Sequence, residues 1–247
     1  MEVSVIFPTK NRERFVKRSV KTAFKARNVH EVIIVDGGSR DRTVELAEKE
    51  GAKVIVQSSL IYPGKGVAMR DGAYFATGDV LVYLDIDIKN LTPAFIEKLA
   101  EPIIRGEADF VKGFFERAAG RVTELVAKPL LRMFYPELAG FKQPLSGEIA
   151  GLRKLFYRVE FEKGWGVDVG LLIDFYKMGA RIVEEDLGYK DHEMKPLHAL
   201  TDMAYEVAGA ILRRAIRDGK TDSKWAESYL RGVRAMDLGF GLSGGEA

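Results

Sequence analysis

The chain has 247 residues, 47% of them hydrophobic, which is enough for a full core at the size where one α/β domain is routine. Its 38 basic and 36 acidic residues leave a formal charge of +2, without the bias of a protein that wraps nucleic acid, so an anionic ligand must be met by local basic groups. The absence of cysteine removes disulfide frameworks, thiolate metal sites and cysteine nucleophiles together.

The chain opens directly on a strand-like run, Val3 to Phe7, rather than on a basic stretch with a cleavage site. No apolar run reaches the roughly 18 residues of a membrane helix. The expectation is a cytoplasmic protein with no transmembrane segment. Further β-branched runs at Glu31 to Val35, Lys53 to Gln57 and Val80 to Leu84 alternate with amphipathic stretches, the pattern of βαβ units and a mainly parallel sheet flanked by helices. Phe15, Val16, Val20, Ala23 and Phe24 recur at helical spacing, Asp41 to Glu50 forms a second helix stopped by Gly51, and a third covers Gly66 to Ala76.

Ala108 to Phe114 is a further strand. Val122, Leu125, Val126, Leu130, Met133 and Phe134 then share one helix face, with Pro129 expected to kink it. A strand near Glu148 to Leu152, a helix over Asp168 to Met178 and a strand near Arg181 to Glu185 complete an α/β domain over residues 1–195. Helices at Leu197 to Arg217 and Lys224 to Met236 make residues 196–247 a C-terminal helical extension, packed on the domain or on a partner subunit, with a loose tail from Gly239. No internal repeat is present.

Asp85-Ile86-Asp87 directly follows the apolar run Val80 to Leu84, and in an open α/β sheet that carboxyl edge is where ligands bind. Residues two apart in an extended segment point the same way, so Asp85 and Asp87 can face one hard cation while Ile86 faces the core. The first strand ends in Pro8-Thr9-Lys10-Asn11-Arg12-Glu13 and the second in Asp36-Gly37-Gly38-Ser39, on the same edge. Alone, Asp36 to Ser39 reads more readily as an ordinary turn capping the next helix, a task Ser39 and Asp41 can perform without a ligand. Lys65, in Pro63-Gly64-Lys65-Gly66, is placed to compensate phosphate charge where glycines let backbone approach closely, although a loop lysine is commonly just solvated.

Two formal motif matches fail on context. Gly239 to Gly244 fits GxGxxG without room for a following helix, and Gly219-Lys220-Thr221 would need a glycine where Arg214 stands.

From Val3 to about His192, these strand-end residues resemble the GT-A glycosyltransferases, particularly the family 2 pattern. The resemblance implies that Pro8, Thr9, Lys10, Glu13, Asp36, Ser39 and Lys65 hold a nucleotide-sugar. It also implies that Asp85 and Asp87, with His192 as third ligand, hold Mg²⁺ or Mn²⁺ on the diphosphate, the imidazole favouring Mn²⁺.

Three longer blocks, Gly120 to Leu131, Gln143 to Glu148 and Gly164 to Gly170, resemble the glucosyl-3-phosphoglycerate synthases, which are retaining enzymes of that fold. The implied reaction moves a hexose, glucose by resemblance, from a UDP- or GDP-sugar to 3-phosphoglycerate. Gly120, Arg121, Val122, Thr123 and Lys195 are implied acceptor residues. Arg121 and Thr123 stand at a predicted helix start, where an anionic acceptor finds cation and backbone donors together; Arg121 also reads as a solvated arginine, and the apolar members of the block as core. Glu148 and Asp168 are cast as sugar-hydroxyl binders, and a homodimer is expected.

Two departures stand out: Glu193-Met194 follow the histidine where the family has a basic residue and an asparagine, and Asp168 replaces a glutamate. The competing readings are an inverting family 2 transferase acting on a lipid phosphate or polysaccharide, with Glu148 or Asp168 as base, and a non-catalytic nucleotide-sugar-binding protein. A sugar-nucleotide pyrophosphorylase ranks last, since its glycine-rich N-terminal loop is missing.

Overall fold

The computed structural model describes residues 1–61, 64–116, 120–191 and 200–239, with side chains as far as 234. Seven strands form one sheet: β1 (Val3–Thr9), β2 (Val29–Asp36), β3 (Lys53–Val56), β4 (Val80–Tyr83), β5 (Phe110–Phe114), β6 (Ile149–Leu152) and β7 (Ile182–Asp186). Their order is β3-β2-β1-β4-β6-β5-β7. The first four are parallel, β6 runs antiparallel to both β4 and β5, and β7 is parallel to β5. The sheet is thus mixed, with its direction reversed at β6.

That reversal brings the site together. The pairing Tyr83↔Ile149 sets the start of β6 beside the end of β4, so Glu148 emerges at the edge where Asp85 emerges. β5 and β7 both end at this edge, because Lys112 pairs with Ile149 and with Glu184.

Helices α1 (Glu13–Ala23), α2 (Thr43–Lys49) and α4 (Pro93–Ile104) cover one face of the sheet. The other face carries α3 (Lys65–Phe75), α5 (Lys128–Phe134), α6 (Arg153–Phe156), α7 (Val167–Lys177), α8 (Thr201–Arg217) and α9 (Ser223–Gly239). Alternation along the strands divides the core: Ile6, Ile33, Leu81 and Tyr83 face α3 and α7, while Val5, Phe7, Val32 and Val82 face α1 and α4. Helix α7 is buried nearly all round, its Asp168 and Asp174 included, because the sheet lies on one side and α8 on the other. Phe110 of β5 stacks on Phe175 of α7 with ring centroids 4.2 Å apart, which seats α7 against the sheet.

The segment read as one helix over Val122 to Phe134 is a π-helical turn, Thr123–Ala127, followed by α5 with Pro129 in its first turn. A prolyl ring clashes with the carbonyl four residues back and has no N–H to donate, and the wider turn before it relieves both constraints. Among the described residues, no helix is long and apolar enough to cross a membrane.

Candidate functional site

The segments after β1 and β2 are laced together at the carboxyl edge by short polar contacts. The amide of Asn11 donates to Ser39 Oγ at 2.8 Å, Gly37 N donates to Thr9 O at 2.8 Å, and the Glu13 amide donates to Asp41 at 3.1 Å. Asp36 is buried and accepts the amides of Gly38 and Ser39 at 3.0 Å through one carboxylate oxygen. It therefore does the turn-capping work that the sequence already allowed. Thr9 Oγ1 donates back to Phe7 O at 2.9 Å, Pro8 pairs with Val35 in the sheet, Lys10 is exposed, and Glu13 accepts the Arg42 amide at 3.1 Å.

Asp85 and Asp87 leave the end of β4 with side chains 37% and 41% exposed, while Ile86 between them is buried. Arg12, from the loop after β1, lies 3.5 Å from Asp87. Asp85 accepts from Lys190 at 2.9 Å and lies 3.5 Å from Lys65. Burial opposes ionisation of Asp85, but the Lys190 and Lys65 ammoniums outweigh it and hold the carboxyl well below the usual carboxylate range.

Behind Asp85 lies a buried layer of paired charges. Glu148, almost fully buried, accepts from Lys190 at 2.5 Å and from Ser146 Oγ at 2.9 Å. Burial raises its pKa, Lys190 opposes the rise, and the neighbouring Asp85 charge adds to it. Lys65, at the first turn of α3, donates to Asp168, at the first turn of α7, at 3.0 Å. Lys112 of β5 is buried and donates to the Asp168 carbonyl at 3.0 Å. Burial pulls its pKa down to about 8, with the nearby Lys65 charge opposing the help from Asp168. Burial likewise works against charge on Lys65 and Lys190, yet their carboxylate neighbours drive both pKa values above the ordinary lysine value.

The start of α3 would offer free backbone donors, but Lys163 O already accepts from Gly66 N at 3.1 Å and Val67 N at 3.3 Å. The Lys65 ammonium is the cation that this end of α3 presents to an anion. Gly147 lies against it: a Cβ at 147 would overlap Lys65 Nζ and sit 3.3 Å from Asp85 Oδ1. Asp168 Oδ1 is buried with no hydrogen-bond partner among the described residues, an acceptor left for a donor from outside the chain.

Sequence reasoning brought Asp85, Glu148, Asp168 and Lys65 forward, and the fold gathers them. It missed Lys190 and Lys112, and it quoted Gly147 without giving it a role. Gly120 and Arg121 are exposed, whereas Thr123 and Val122 are buried, Val122 within the main core. His192 and Lys195 lie outside the described residues. The hard oxygen donors Asp85 and Asp87, half-exposed on one turn with Asp85 held ionised, fit a hard divalent cation. Among the described residues no third His, Asp or Glu joins them.

The family model for glycosyl transferase family 2 matches residues 4–165. Glucosyl-3-phosphoglycerate synthase from Petrotoga mobilis is 36% identical over 246 aligned residues, 90% of this chain and 76% of that one. The synthase from Mycolicibacterium smegmatis is 37% identical, over 86% of this chain and 77% of that one. The crystal structure of the Mycobacterium tuberculosis synthase with Mn²⁺, uridine diphosphate and phosphoglyceric acid superposes with a TM-score of 0.82 at 37% identity, covering 90% of this chain and 80% of that one. Another structure of that synthase holds Mn²⁺, UDP-glucose and phosphoglyceric acid. The sheet and its acid-lined edge are those of a GT-A nucleotide-sugar transferase. The chain belongs to glycosyl transferase family 2 and, within it, to the glucosyl-3-phosphoglycerate synthases.

Proposed function

We propose that this protein transfers glucose from UDP-glucose to the hydroxyl of 3-phosphoglycerate, with a divalent cation and with retention at the anomeric carbon. The observation that carries the reading is the arrangement of Asp85, Lys65 and Asp168 on one sheet edge, in a chain whose relatives act as glucosyl-3-phosphoglycerate synthases. Asp85 and Asp87 would hold Mn²⁺ or Mg²⁺, with His192 as the third ligand of the reading. When bound, the cation offsets the negative charge that grows on the diphosphate as its bond to glucose breaks.

The chain's own residues supply the rest. Lys65 adds a second, fixed positive charge beside Asp85, and the closed ion-pair layer beneath keeps that charge in place without motion during reaction. Asp168 Oδ1, without a partner among the described residues, accepts from a sugar hydroxyl and orients the glucose ring. With Glu148 and Asp168 both tied to ammoniums, neither stands as a free general base. The acceptor proton then passes to the departing diphosphate oxygen on the same face, which gives retention. Arg121 and Thr123, with Gly120, Val122 and Lys195, are read as the acceptor side, and Pro8, Thr9, Lys10, Glu13, Asp36 and Ser39 as the nucleoside side. The same reading places the enzyme in the cytoplasm as a homodimer of chains in which residues 196–247 extend a domain of residues 1–195.

The test is turnover with Mn²⁺ or Mg²⁺, UDP- or GDP-glucose, and 3-phosphoglycerate, with NMR of the product's anomeric proton. Acceptor-dependent release of UDP and an α-glucoside are expected. Nucleotide release indifferent to 3-phosphoglycerate would move the function to another acceptor, and a β-product would make the enzyme inverting.

A further inference from the structure

Arg214 on α8 is 1% exposed and far from the sheet edge in sequence, yet it binds α7, which presents Asp168, and the 160–162 segment next to Lys163, whose carbonyl holds the start of α3 where Lys65 stands. All five of its N–H groups find acceptors. Nε and Nη2 form a fork on Asp174 of α7 at 2.9 and 2.6 Å. Nη1 reaches Glu162 at 2.5 Å and Ala210 O at 3.2 Å, and Nη2 reaches Glu160 O at 3.0 Å.

The contacts beyond α8 lead to the two halves of the pair. Asp174 sits two turns along α7 from Asp168, and Gly170 between them has no side chain where the guanidinium lies, 2.9 Å from where a Cβ would be. Glu160 and Glu162 belong to the segment whose next carbonyl, Lys163 O, takes the amides of Gly66 and Val67 and so holds the start of α3. The same segment lies flat on α8, where the Trp165 amide donates to Glu206 at 2.5 Å.

A buried ion cluster is no stronger a stabiliser than well-packed apolar side chains of the same volume; what a rigid guanidinium fork supplies is geometry. We propose that Arg214 is a positioning residue of the donor site, fixing α7 and the segment before it so that Lys65 and Asp168 meet at the diphosphate and glucose positions. The inference rests on the reading of Lys65 as the cation for the donor diphosphate.

Arg214→Lys keeps the charge and loses the fork. Expected are a rise of about tenfold in the Kd of UDP with Mn²⁺ by calorimetry, a change below about twofold in KM for 3-phosphoglycerate, and faster hydrogen exchange at the Gly66 and Val67 amides. In a Lys65→Met background the same substitution is expected to leave UDP affinity unchanged. A lowered melting temperature with UDP affinity and both amides as in the wild type, or an additive loss in the Lys65→Met background, overturns the proposal. Should Arg214→Lys not fold, Gly170→Ala displaces the guanidinium without removing it, and the same readouts decide. The UDP affinity and hydrogen-exchange readouts need no turnover, so they stand apart from the glucosyl-transfer reading, which fails on its own if wild-type enzyme releases no UDP in response to 3-phosphoglycerate.

Discussion

Lys190 donates to Asp85 at 2.9 Å across 105 residues of sequence, from the segment after β7 to the segment after β4. The same ammonium donates to Glu148 at 2.5 Å, so one lysine from beyond the last strand joins the exposed acid of the site to the buried one. The reversal of β6 makes this possible, since a parallel strand would have started at the opposite edge of the sheet.

Asp85 has the ionised state and the exposure a cation ligand needs. Asp85→Asn keeps the shape and removes the charge. Loss of glucosyl transfer by about a hundredfold or more is expected, with Mn²⁺-dependent tightening of UDP binding abolished and the melting temperature nearly retained. UDP affinity that still responds to Mn²⁺ would show that Asp85 is not a ligand.

Lys190 is a buried cation between two carboxylates, and removal of one partner from such a group leaves charge uncompensated. Lys190→Met is expected to destabilise the fold by about 3–5 kcal/mol in urea denaturation, and Lys190→Met/Glu148→Gln to recover more than half of that loss. Equal destabilisation of the single and double variants would mean that Lys190 acts through packing instead.

These two residues show how far sequence carries. Asp85 was legible because a β-branched run followed by alternating acids has a physical meaning at a sheet edge, and Ile86 is buried as that alternation requires. Lys190 was not, because a single lysine in a loop carries no pattern until β7 delivers it to the edge. Lys112 was hidden differently: in Phe110–Phe114 every position is buried, so a lysine inside the strand has no solvent side to face. The direction of β6 has no signature in a four-residue apolar run. Helix α4 is hard to see in sequence because Pro102 stands inside it, although Thr92-Pro93 marks its start.

The pKa of Lys112, pulled down by burial to about 8 from 10.5, gives a pH signature with a definite sign. Between pH 8 and 10.5 the unfolded chain holds a proton that the native state has given up, so this lysine makes stability rise with pH in that window. Below pH 8 both states are protonated, and the burial penalty is constant, on the order of 3 kcal/mol. Relative to Lys112→Met, the wild type should therefore gain stability from pH 8 to 10 in urea denaturation. Parallel stability curves for the two proteins across that range would show that Lys112 does not titrate there.

Gly147 offers the most selective test of Lys65. Its φ lies outside the left-handed region, so the backbone there does not call for glycine; what a side chain would meet is the Lys65 ammonium. In Gly147→Ala the new methyl takes that space and pushes the Lys65 ammonium away from Asp85 and Asp168, which leaves the buried Asp168 short of its partner. Stability should fall by about 1–3 kcal/mol, as expected when a buried carboxylate loses its partner. KM for UDP-glucose should rise about tenfold, because the cation beside Asp85 is displaced from the diphosphate. Lys65→Ala should show the same rise, and the two substitutions together should add nothing further, since each removes the same charge from the same place. Independent, additive losses would place Gly147 and Lys65 in separate roles, with the glycine serving the approach of substrate instead of the position of the lysine.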